Sequence, residues 1–76
     1  MLMTDLQREH EFVEAGNLRD LQGQYDKAIT AYDSALRIDP EDADALYDKG
    51  ETLEKMGRLM EAQKCYTLAM NLWNGY

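Results

Sequence analysis

The chain has 76 residues and a net charge of −7, with 15 acidic residues against 8 basic ones; that is one small domain, with no room for a catalytic domain beside it. The acidic balance repels phosphate backbones and anionic lipid, so nucleic acid and membrane surfaces are not expected partners. No apolar run approaches the roughly 20 residues of a membrane span.

The start, Met1 to Asp5, lacks the charged and apolar regions of a secretory signal, and a cytoplasmic protein is expected. Thr4, with Gln7 three residues later, reads as a capping box that opens a first helix over about residues 5–21. Gly23 marks its stop, because glycine adopts the left-handed conformation at low cost. Tyr25, Ala28, Ile29, Tyr32, Ala35 and Leu36 then recur at helical spacing, the apolar face of a second helix over about 24–38. Pro40 cannot continue that helix. Leu46, Gly50, Leu53 and Gly57 form a narrower stripe on a third helix, over about 42–56, and a fourth covers about 58–73. Alternating β-type runs are absent. The fold class expected is all-α.

The same signals recur at a fixed offset. Shifted by 34 positions, Gly16 falls on Gly50, Gly23 on Gly57, Ala28 on Ala62, Tyr32 on Tyr66 and Ala35 on Ala69. Phe12 with Leu46, Leu36 with Met70 and Ile38 with Leu72 keep the register with related residues. Gly16 and Gly50 each cost about 1 kcal/mol inside a helix relative to alanine. Two such costs at one register point to close approach of the partner helix, aided by Ala28 and Ala62 from the other side. The chain therefore reads as two stacked antiparallel helix-turn-helix hairpins, with Tyr32, Ala35 and Leu36 between them.

This pattern resembles the tetratricopeptide repeat, whose 34-residue unit carries a W-x2-L-G-x2-Y first helix, a G-x-Y-x2-A-x3-F-x2-A second helix and a closing proline. The first unit, residues 9–42, shows Phe12, Ala15-Gly16, Gly23-x-Tyr25, Ala28, Tyr32, Ala35 and Pro40. The second, residues 43–76, shows Leu46, Gly50, Leu53, Gly57-x-Leu59, Ala62, Tyr66 and Ala69; residues 1–8 extend the first helix of a single domain, 1–76. Arg19 and Lys49 depart from the pattern, and Asn74 stands where the proline falls. The resemblance implies a fragment of an α-solenoid whose first helices line a concave face that binds a peptide. Of the residues with which some members clamp a chaperone carboxylate, only Asn17 has a counterpart here, Val13 and Asp48 standing at the others, so that activity is not implied.

Chemistry finds little foothold. His10 lies in the polar run Gln7 to Glu11 and reads as a solvated residue. The single Cys65 excludes an internal disulfide and reads as packing. The acidic run Asp39, Glu41, Asp42, Asp44 and Asp48 lacks the glycine and the ligand spacing of a calcium loop, and suits instead a turn leading into a helix N-terminus. No catalytic residue, cofactor site or metal site is expected.

Two readings of function remain. In the first, the chain is a non-enzymatic adaptor or scaffold whose concave face, formed by Val13, Glu14, Asn17, Asp20, Asp44, Tyr47, Asp48, Glu51 and Glu54, holds a basic peptide or protein segment. In the second, it is a self-assembling repeat unit. The last helix replaces polar residues of its counterpart with Met60, Leu68 and Trp73. Its apolar arc thereby widens to roughly 200°, more than one neighbour covers. Met60, Leu68, Leu72 and Trp73 are the expected contacts of a homodimer.

Overall fold

A computed structural model describes residues 2–75. It contains four helices: α1 (Asp5–Leu21), α2 (Tyr25–Ile38), α3 (Ala43–Lys55) and α4 (Leu59–Asn74). The first helix has the expected range, and the other three differ from theirs by one residue, at one end of α2 and at both ends of α3 and α4. The capping box is present at α1: Thr4 Oγ1 accepts from the Gln7 amide at 3.2 Å, and Gln7 Oε1 accepts from the Thr4 amide at 2.8 Å. Asp42 caps α3, its carboxylate accepting from the Ala45 amide at 3.0 Å. Gly23 and Gly57 turn the chain at φ of 75° and 78°, in the left-handed region that glycine enters without a Cβ penalty. Among the described residues no helix is long and apolar enough to cross a membrane.

The helices pack pairwise, α1 on α2 and α3 on α4, with α3 lying mainly on α2 and touching α1 lightly. The array spans 40 × 33 × 15 Å, little thicker than one helix with its side chains. So thin a body buries few large groups. Of the nine buried apolar residues among those described, five are alanines, Ala28, Ala35, Ala45, Ala62 and Ala69, and their small side chains let helix axes approach closely.

The mid-helix glycines have a specific neighbour. The Tyr32 ring lies against Gly16, and the Tyr66 ring against Gly50; a Cβ on Gly16 would come within 2.5 Å of Tyr32 Cε1. The close approach is thus made by an aromatic ring more than by a partner backbone. Tyr32 is buried, with its hydroxyl donating to Asn17 Oδ1 at 2.6 Å. Its hydroxyl also lies near Thr52 and Asp48 of α3, and Ile29 crosses between the hairpins to pack on the cluster of Leu53, Ala62 and Cys65.

Two polar links join the hairpins. Asp20 accepts from the Thr52 hydroxyl and from the Lys55 ammonium, both at 2.6 Å. Lys49 pairs with Asp33 at 2.6 Å. Thr52 is completely buried, so its hydroxyl depends on Asp20 for an acceptor.

Candidate functional site

An open groove of about 380 Å³ runs between α1 and α3. From α1 come Leu6, Glu9, His10, Val13 and Asn17, which recur at three- and four-residue spacing and therefore share one face. Asp42, Asp44 and Asp48 come from the N-terminal half of α3 and its cap. The groove thus combines an apolar wall, Leu6 and Val13, with four carboxylates, and His10 is its only nitrogen base. His10 Nε2 lies 3.0 Å from Glu14, one turn further along α1.

Two of the groove carboxylates, Glu9 and Asp48, have raised proton affinity. A hydrogen bond with the Asp42 carboxylate, then desolvation and the charges of Asp42 and Asp39, push Glu9 up to about 7. Burial, together with Glu51, Asp44, Asp42 and Asp20, pushes Asp48 up to about 6. Like-charge neighbours contribute to both shifts, behind the Asp42 hydrogen bond for Glu9 and behind burial for Asp48.

Of the concave-face residues expected from the sequence, Val13, Asn17, Asp44 and Asp48 line this groove together. Glu51 is exposed one turn beyond Asp48 and adds to its field. The others have engagements elsewhere. Glu14 pairs with His10, Asp20 joins the hairpins through Thr52 and Lys55, and Glu54 accepts from the Tyr66 hydroxyl at 2.7 Å. Burial pushes Asp20 up, but the bonds from Lys55 and Thr52 outweigh it and hold the carboxyl below its ordinary value. Tyr47 packs against Tyr66 and Trp73, with ring centroids 5.2 and 5.5 Å away. Leu6, Glu9 and Asp42 were not among the expected residues. A signal for the first two existed, since Leu6 and Glu9 precede Val13 by seven and four positions, on the same helix face.

A family model described as a TPR repeat matches residues 16–57, more than half of the chain. A second, described as a tetratricopeptide repeat, matches residues 43–72. The chain belongs to the tetratricopeptide-repeat family. Such repeats generally mediate protein–protein interactions and are typically non-catalytic. No curated protein gives a significant match.

The last helix of this tetratricopeptide pair spreads the four expected self-association residues over a wide arc, as their sequence spacing implies. At 100° per residue Met60 and Trp73 stand about 140° apart around α4; Leu72 is half-buried, and Trp73 is engaged with Tyr47. Leu59, Met70 and Trp73, by contrast, fall within about 60° of one another, and each is at least half exposed. Cys65 is buried, and burial pushes its thiol up. Among the described residues no group of three or more His, Cys, Asp or Glu is placed to hold a metal ion.

Proposed function

We propose that the chain is an adaptor whose α1/α3 groove receives a lysine- or arginine-bearing segment of another protein. The observation that carries this reading is the convergence of Glu9, Asp42, Asp44 and Asp48 in one groove, two of them with raised proton affinity. A cationic side chain entering there relieves repulsion already present, while Leu6 and Val13 offer contact to its aliphatic stem. Affinity is modest, because exposed charge pairs contribute only about 0–1 kcal/mol each; the field mainly steers and selects. Fluorescence anisotropy with a labelled Lys/Arg-rich peptide tests this. Asp48→Lys should abolish binding and added salt should weaken it, whereas Asp26→Lys, on the exposed face of α2, should change little. Equal response to the two substitutions, or indifference to salt, would remove the groove from consideration.

A second reading, self-association through α4, draws on the exposure of Leu59, Met70 and Trp73 on one side of that helix. Light scattering decides it: a concentration-dependent dimer should be disrupted by Met70→Glu. A chain that stays monomeric at high micromolar concentration rules it out.

A further inference from the structure

On the face of α1 turned away from the acidic groove, a cleft of about 650 Å³ opens between α1 and α2. Met3, Phe12, Ala15 and Ile38 give it an apolar floor, and its polar lining is Arg8, Arg37, Glu11 and Ser34, two cations against one carboxylate. We propose that this cleft docks an acidic amphipathic helix of a second protein, independently of the ligand in the α1/α3 groove.

The internal repeat supplies the shape argument. Glu11, Phe12 and Ala15 of the cleft correspond, 34 positions on, to Ala45, Leu46 and Lys49. In the second unit that surface is covered by α2: Ala45 and Leu46 are buried, and Lys49 reaches Asp33 of α2. The same backbone surface is open in the first unit, where Phe12 is 38 % exposed. A surface that closes on a helix in one unit is shaped for a helix in the other.

Charge selects the occupant. In a strongly acidic chain, Lys49, Lys55 and Arg58 each pair with a carboxylate; of the basic residues without such a pair among the described residues, Arg8 and Arg37 are the two that line this cleft. Arg8 and Arg37 have no carboxylate within salt-bridge distance among the described residues; Arg37 donates only to the Ser34 hydroxyl, at 3.2 Å. A helix with apolar residues on one stripe and Glu or Asp beside it satisfies both the floor and the two guanidiniums.

The test uses the whole chain and two labelled helical probes, a leucine/glutamate amphipathic peptide and its leucine/lysine counterpart, read by anisotropy. The glutamate peptide should bind, and Arg8→Glu with Arg37→Glu should weaken it about tenfold. Phe12→Ala should weaken it as well, with circular dichroism confirming the helices, while Asp48→Lys should leave it unchanged. Equal binding by the arginine double variant, preference for the lysine peptide, or no binding of the glutamate peptide overturns the proposal. So does a sedimentation result in which the chain alone dimerises and Phe12→Asp makes it monomeric, since the cleft then belongs to a second copy.

Discussion

Gly16→Ala is the most direct probe of how the first hairpin closes. The new methyl would lie 2.5 Å from Tyr32 Cε1 and 2.7 Å from Cδ1, so the ring must move. Tyr32 has little freedom to do so: it is 1 % exposed, and its hydroxyl is held by Asn17 at 2.6 Å. Alanine gains about 1 kcal/mol of helix propensity over glycine. Overpacking costs about 1–3 kcal/mol, and loss of the Tyr32–Asn17 bond about 1 kcal/mol more. The net expectation is a loss of about 1–3 kcal/mol, with each kcal/mol lowering the midpoint by about 4–8 °C in a chain this size. Gly50→Ala is the internal control. Its methyl meets Tyr66 Cε1 at 2.7 Å, but Tyr66 is half-buried and its hydroxyl meets only the exposed Glu54. That ring can swing aside, and the net change should stay within about 1 kcal/mol of zero. Urea unfolding followed by helical circular dichroism reads both. Gly16→Ala unfolding at or above the parent midpoint, or Gly50→Ala costing as much, would refute the reasoning.

Asp20→Ala removes the acceptor of the buried Thr52 hydroxyl and should cost about 1–3 kcal/mol, with Asp20→Asn milder because an acceptor remains; equal urea midpoints for Asp20→Ala and the parent would show the link to be idle. The raised carboxyls Glu9 and Asp48 set opposite pH slopes for folding and binding. Their folded-state proton affinity exceeds that of the unfolded chain, so the stability they contribute is full below the ordinary carboxylate range and is lost as pH rises through about 6 and about 7. Affinity for a basic peptide should rise over the same window, as the carboxylates ionise. At lower pH the depressed Asp20 reverses the stability trend, its contribution vanishing as pH falls below the ordinary Asp range. Thermal melts and anisotropy across pH check both slopes, and Glu9→Gln should flatten them; parallel slopes would contradict the assignment.

The fold was legible because its determinants are local. Thr4 and Gln7 announce the first helix, Gly23 and Gly57 mark the two hairpin turns, and the 34-residue register places two hairpins before any contact is known. Part of the groove lining was legible too, since the resemblance to the tetratricopeptide repeat puts Val13, Asn17, Asp44 and Asp48 on one side of the first helices. What the sequence does not display is which carboxylates are already spoken for. Asp20 finds its partners 32 and 35 positions away, and Glu9 meets Asp42 across the hairpin boundary. No local spacing encodes those meetings. Tyr47 likewise looks like a concave-face anchor until Trp73, on the last helix, is seen against its ring.

Those long-range meetings also distinguish two units that share one backbone plan. The link made by Asp20, Thr52 and Lys55 would need, one repeat further on, Glu54 facing a hydroxyl and an ammonium; in a second copy stacked in register, Leu18 and Leu21 occupy those places. Asp33, which pairs with Lys49, corresponds to Thr67, and its partner position in such a copy is Ala15. Ile29, which packs on Leu53, corresponds to Gln63, facing Arg19. Stacking in register would set Glu54, whose hydrogen-bond partner here is the Tyr66 hydroxyl, against leucine and would leave the polar links of the observed interface without counterparts, at a cost of about 1–3 kcal/mol for each buried group left unpaired. The pairwise chemistry between hairpins, more than the shape of the repeat, therefore decides which hairpin can stack on which in this array.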